Sequence, residues 1–204
     1  MPELGLGLGV PKHKILAASG AALLLDDYPG ASGAWSAARK LSDDSVYSGP
    51  CMEVYEDSGA TVADIGFDGD GNLDEAALLA HTGTGAGDHG MVKILYDQSG
   101  NGNDLIVPTA SWTHWPFIVD NGVIQKVNGK PTVRQNADGT GFLYTTSGIT
   151  GAVVWQFSVQ EFGPETGGSN LIFLYFAQSP GEDAYYMKMY KANASDSFKW
   201  IGRV

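Results

Sequence analysis

Three acidic side chains, Glu53, Asp64 and Asp97, each stand beside a strand-like pattern. Glycoside hydrolysis needs two carboxyl groups placed across a sugar bond from one another. Acids are plentiful, 23 in all, and spacing alone selects no facing pair, so each of the three is equally suited to stabilising a turn. The run Asp68-Gly69-Asp70-Gly71-Asn72-Leu73-Asp74 alternates oxygen ligands as a calcium loop does. An EF-hand loop begun at Asp68 requires Gly at its sixth position and Glu at its twelfth, where this chain has Leu73 and Leu79. The expectation is an acidic turn leading into a helix capped by Asn72.

His13, His81, His89 and His114 lack the paired spacing of a metal-binding helix, and a single cysteine adds no thiolate cluster, so no metal and no cofactor is expected. His89 follows Asp88 in a glycine-rich loop as an acid/base pair would, but no nucleophile motif accompanies it, and a loop hydrogen bond is the expected use. Cys51 cannot form an internal disulfide and reads as a small buried hydrophobe. Trp112 and Trp115 are the candidates for carbohydrate binding, because exposed indoles stack on sugar faces; the competing use is core or interface filling. Asn193-Ala194-Ser195 matches a glycosylation acceptor, a match common by chance.

The elements that must position these residues are mostly strands. The 204 residues suit one domain, and 28 glycines with only 17% charged residues suit a sheet protein with many tight turns. Residues 91–96, 104–107, 117–119, 123–127 and 132–135 form short apolar runs bounded by turn residues. Residues 151–160, 169–177 and 184–190 are longer candidates rich in aromatic and branched side chains. Asn121-Gly122 and Asn128-Gly129 are hairpin dipeptides. Residues 21–25 read as a strand or packed segment entering a turn, Ser32 as the cap of a brief helix through Ala34, Trp35, Ala37 and Ala38, and Asn72 with Glu75 as the start of a second helix ended by Gly83. In that helix Leu73, Ala76, Ala77 and Ala80 share one side. The fold class expected is mainly β: an antiparallel β-sandwich with one or two short helices.

The first 20 residues read as an arm, followed by a single domain over 21–204. Leu4, Leu6, Leu8 and Val10 alternate with glycine and precede the basic Lys12 and Lys14, a pattern that buries little alone and suits docking onto a partner. The arm lacks the basic start and apolar run of a signal peptide, so export by that route is not expected. A net charge of -11 repels phosphate backbones and anionic lipid, which excludes nucleic acid and membrane surfaces as expected partners. No apolar stretch reaches the roughly 20 residues of a membrane span.

Tyr47-Ser48-Gly49-Pro50, Asp57-Ser58-Gly59, Asp64-Ile65-Gly66, the run from Tyr96-Asp97-Gln98-Ser99-Gly100 to Asn103, and Asn128-Gly129-Lys130-Pro131 follow one another in an order that resembles the N-terminal half of the family B α-L-arabinofuranosidase catalytic domain. The resemblance spans roughly residues 26–145 and implies a concanavalin A-like jelly roll. That family's nucleophilic Glu and acid/base Asp lie in later segments with no counterpart between Gly151 and Val204, so no catalytic residue carries over and a non-enzyme is expected. The same motif order, with a Gly/Leu-rich N-terminus, resembles parts of bacteriophage virion proteins. The resemblance implies a structural virion component, a capsid decoration or cement subunit or other surface part, assembled in the host cytoplasm. Such a subunit docks onto other virion proteins through its arm and associates as a homo-oligomer. The alternatives are a lectin-like glycan-binding module, as in a tail fibre, and an arabinofuranosidase-like hydrolase.

Overall fold

The computed structural model describes residues 23–107, 111–134 and 143–145, together with the backbone of strands within 170–202. In chain order the elements are α1 (Leu24–Asp27), β1 (Met52–Glu56), β2 (Thr61–Ile65), α2 (Glu75–Thr82), β3 (Gly90–Leu95), β4 (Leu105–Ile106), a 3-10 turn (Trp112–His114), β5 (Phe117–Asp120) and β6 (Val123–Ile124). They continue with β7 (Lys126–Val127), β8 (Lys130–Pro131), β9 (Tyr144–Thr145), β10 (Asn170–Phe176), β11 (Tyr185–Tyr190) and β12 (Lys199–Gly202). Every described strand pairing is antiparallel. Mainly antiparallel β-structure with few helices is the expected class and is consistent with a β-sandwich.

The main sheet runs β2-β1-β3-β4-β9, with β5 pairing β3 and β6 pairing β5. A three-stranded sheet β10-β11-β12 and the hairpin β7-β8 complete the described pairings. Strand β1 shows why one face is core: Met52, Val54 and Glu56 are buried and alternate with Glu53 and Tyr55 on the opposite face. Met52 and Val54 join Ile65, Val92, Leu95, Ile118 and Val119, while Leu73 and Leu78 close over them. Glu56 ends the buried row because its carboxylate accepts the Ser58 and Gly59 amides and so shapes the β1–β2 turn, in which Ala60 takes a φ of 53°. Glu56 is itself buried, 6% exposed, at the end of β1.

The hairpin dipeptides form as expected. Asn121 and Gly122 have φ of 52° and 72°, and Asn128 and Gly129 have 50° and 76°, both positive as a type I′ turn requires. The run 123–127 breaks in two at Gln125, whose amide turns back to the Ile118 carbonyl at 2.8 Å. In the run 132–135 the described pairing is a single bridge from Arg134 to Phe117.

Two helix expectations are corrected. The segment after Ser32 forms no helix: the Ala34 amide donates to Asp97 Oδ1 at 2.8 Å and the Ala38 and Arg39 amides to Ser36 Oγ. Side chains thus take the donors a helix ladder would use, and Arg39 bridges Asn72 instead. Of the two readings of residues 21–25, the described part takes the packed segment entering a turn: residues 24–27 make one helical turn with Leu25 buried and the Leu23 amide on Asp26 Oδ2 at 2.9 Å. The cap of α2 is Asp74, which accepts the Ala77 amide at 2.9 Å, while the Asn72 amide is itself held by Asp68. Its buried side is Leu78 and Thr82; Ala76, Ala77 and Ala80 are exposed. Gly83 ends it as expected, at φ 86°.

Candidate functional site

The motif run after β3 is structural. Asp97 is 1% exposed and accepts from four donors: the Ala34 and Ser99 amides at 2.8 and 2.9 Å, Ser99 Oγ at 2.8 Å and the Asn103 amide at 3.0 Å. Asn101 and Asn103 reach across to the Ala31 and Ser32 carbonyls, and the Trp35 indole returns a bond to the Asn103 carbonyl at 2.9 Å. A carboxylate so fully engaged has no lone pair left for a substrate. Asp97 therefore leaves the set of three candidate acids, in the backbone-shaping role expected of the turn.

The other two acids come together. Glu53 on β1 and Asp64 on β2 are direct cross-strand partners, on the face that points away from the core. Tyr96 donates its hydroxyl to Asp64 Oδ1 at 2.9 Å. Burial, and then this bond to Asp64, push the phenol well above its ordinary range. Lys93 Nζ lies 2.6 Å from Glu53 Oε1 as an ion pair, though that buried oxygen receives no hydrogen bond of good angle. Beside Asp64 opens a shallow cleft of roughly 620 Å³ whose walls include Lys40, Asp44, Ser48, Pro50 and Phe67.

Two residues along β1 from Glu53, Tyr55 shares the same face and anchors an aromatic group. Its ring stacks on Trp112 with centroids 5.9 Å apart and meets Trp115 edge-on at 5.5 Å. The tryptophan pair is thereby split. Trp115 is 6% exposed and buried edge-on against Tyr55, whereas Trp112 is 41% exposed with Tyr55 behind it. A stacked aromatic backed by a second ring, on a sheet face that also carries Glu53 and Asp64, is a surface that can hold a sugar ring by its apolar face and its hydroxyls by acids. Sequence reasoning does not single out Tyr55 or Lys93, and Tyr96 enters it only as the start of a motif run; the alternation Met52-Glu53-Val54-Tyr55-Glu56 is the available signal for Tyr55.

The remaining candidates have structural roles. Asp68 Oδ1 accepts the Asp70 and Asn72 amides at 2.9 and 2.8 Å, the acidic turn expected. His89 pairs with Asp120 rather than with Asp88: Nδ1 lies 3.0 Å from Asp120 Oδ1, and Arg134 engages the other carboxylate oxygen. Asp88 instead accepts the Gly85 amide at 2.7 Å. His81 Nε2 faces the Val54 carbonyl at 3.0 Å. Cys51 is fully buried, and burial raises its thiol to about 12. No group of three or more potential ligand side chains stands ready for a metal among the described residues. Leu4, Leu6, Leu8, Val10, Lys12, His13 and Lys14, the run 151–160 and Asn193 lie outside the described residues.

No family model matches the chain, and no curated protein matches it. Two solved structures are similar to it. One is an arabinofuranosidase complexed with arabinofuranosyl-α-1,2-xylobiose, with 22% identity and a TM-score of 0.34 over 55% of this chain and 22% of that one. The other is a GH54 α-L-arabinofuranosidase soaked with a cyclic sulfate inhibitor, with 19% identity and a TM-score of 0.38 over 78% of this chain and 35% of that one. The chain thus spans well under half the length of either.

Proposed function

We propose that the protein is a non-catalytic carbohydrate-binding β domain, displayed on a bacteriophage virion and carried there by its N-terminal arm. The observation that supports binding is the exposed Trp112 ring stacked on Tyr55, which shares its face of β1 with Glu53, the cross-strand partner of Asp64. Aromatic platforms of this kind hold sugars by stacking while carboxylates accept from hydroxyls. The virion setting rests on the sequence resemblance and on the apolar, glycine-interrupted arm.

A glycan array followed by calorimetric titration tests the binding. Micromolar to millimolar affinity is expected for at least one oligosaccharide, abolished by Trp112→Ala with the fold intact. Trp115→Ala is expected to act through stability, because it removes a buried ring. Absence of any Trp112-dependent binding would overturn the reading.

A second reading, glycoside hydrolysis, is favoured by one observation, the juxtaposition of Glu53 and Asp64. It predicts release of product from an aryl arabinofuranoside above a heat-treated control, lost on Glu53→Gln or Asp64→Asn. The engagement of Glu53 by Lys93 and of Asp64 by Tyr96 favours binding over this chemistry.

A further inference from the structure

Each carboxylate of the Glu53–Asp64 pair has one oxygen held by the protein and one left over. Asp64 gives Oδ1 to the Tyr96 hydroxyl, and Glu53 gives Oε1 to Lys93. Asp64 Oδ2 and Glu53 Oε2 have no partner among the described residues. Direct cross-strand neighbours hold their Cβ atoms about 5 Å apart, so the two carboxyl groups spring from adjacent positions on one face, a spacing on the scale of neighbouring substituents on one ring. An ionised carboxylate only accepts, so whatever binds both must bring two donors. The cation at the pair, Lys93, is already engaged by Glu53, leaving a negative surplus that repels a third carboxylate. The chain's net charge of -11 acts in the same sense.

We infer that Glu53 and Asp64 form one paired acceptor that restricts the bound glycan to neutral and amino sugars with two neighbouring hydrogen-bond donors, and rejects uronic and sialic acids. This rests on the glycan-binding reading, with Trp112 holding the ring face and the acid pair setting which rings are admitted. Tyr96 and Lys93 are positioning residues, since each fixes which carboxylate oxygen is presented.

The test is an array of neutral, amino, uronic and sialylated oligosaccharides at low ionic strength, run on the full chain and on the Trp112→Ala, Asp64→Asn and Glu53→Gln variants. The expected result is Trp112-dependent binding confined to neutral and amino sugars. Asp64→Asn should weaken the tightest neutral ligand about tenfold, the effect of losing one charged hydrogen bond, and should admit its acidic analogue. Asp64 is exposed on the edge strand, and a urea midpoint unchanged by the substitution excludes unfolding as the cause; Glu53→Gln gives a second measure. Acidic glycans that bind as tightly as neutral ones, still through Trp112, would overturn this inference and leave the binding function standing. An affinity untouched by both acid substitutions would do the same. Absence of Trp112-dependent binding to any glycan overturns the function and this inference with it.

Discussion

Gln98 and Leu41 are joined inside the fold: the fully buried Gln98 accepts the Leu41 amide on Oε1 at 2.7 Å. The Gln98 amide group reaches the Ser36 and Arg39 carbonyls at longer range, and its own carbonyl accepts Ser42 Oγ at 2.9 Å. The segment 34–42 has almost no regular structure of its own, so this side chain does for it what a sheet ladder does elsewhere. Gln98→Ala is expected to cost about 2–4 kcal/mol, through a cavity and an orphaned Leu41 amide. The urea midpoint measures it, and a loss within the ordinary surface range of about 0.5 kcal/mol would show that the segment is held by other means.

Stability should fall on the alkaline side. The Cys51 thiol is raised by burial from 9.0 to about 12, and the Tyr47 phenol by burial and by the nearby Asp104 from 10.0 to about 12. Below pH 9 both groups are protonated folded and unfolded, and their full contribution is present. Above that the unfolded chain loses its protons first, so stability declines until the folded groups ionise near 12. Urea midpoints from neutral pH upward should stay level and then drop. Cys51→Ala should flatten the first part of the drop, where only the thiol titrates; an unaltered profile would remove Cys51 as its source.

Much of this was legible in the sequence wherever one local rule decides. Asn121-Gly122 and Asn128-Gly129 named their turns because few residues accept a positive φ. The helix expected after Ser32 does not form because capping and propensity are local, while Asp97 and Gln98, more than fifty residues away, take the backbone groups. The cap of α2 lies two residues beyond the expected Asn72 for a related reason: Asn72 and Asp74 are equally good caps, and the bridge to Arg39 decides between them. At the site, Glu53 and Asp64 were noticed, but their pairing depends on strand register. Nothing local in the sequence separates Trp112 from Trp115; their fates depend on where Tyr55 lies, across the sheet.

Deleting residues 1–14 should leave the folding transition in place, because the main sheet draws its strands from residue 52 onward. If the arm anchors the protein, the truncated chain should fail to co-sediment with virions that retain the full-length chain. Leu4, Leu6 and Leu8 would each supply up to about 1.5–3 kcal/mol of burial before ordering costs. Equal co-sedimentation would rule the arm out as anchor, and a lost melting transition would place it in the domain's own fold.

The two hairpin glycines should respond very differently to the same substitution. Gly122 and Gly129 have nearly equal φ, 72° and 76°, so alanine at either suffers the same left-handed backbone penalty of about 1–2 kcal/mol. Their surroundings differ. A Cβ on Gly129 meets nothing within 4 Å, whereas one on Gly122 would sit 2.3 Å from the Thr84 carbonyl carbon and 2.7 Å from the Gly85 carbonyl oxygen. Those are backbone atoms, and the loop that carries them is tied down by Asp88, which accepts the Gly85 amide on its side chain and the Gly122 amide on its carbonyl. Neither partner can swing aside as a side chain would, so the turn or the 84–88 loop must shift. Gly129→Ala should therefore lower stability by about 1–2 kcal/mol, and Gly122→Ala by about 3 kcal/mol or more. Paired urea denaturation of the two variants reads the difference directly, and equal losses would mean that the β5–β6 turn does not rest on the 84–88 loop.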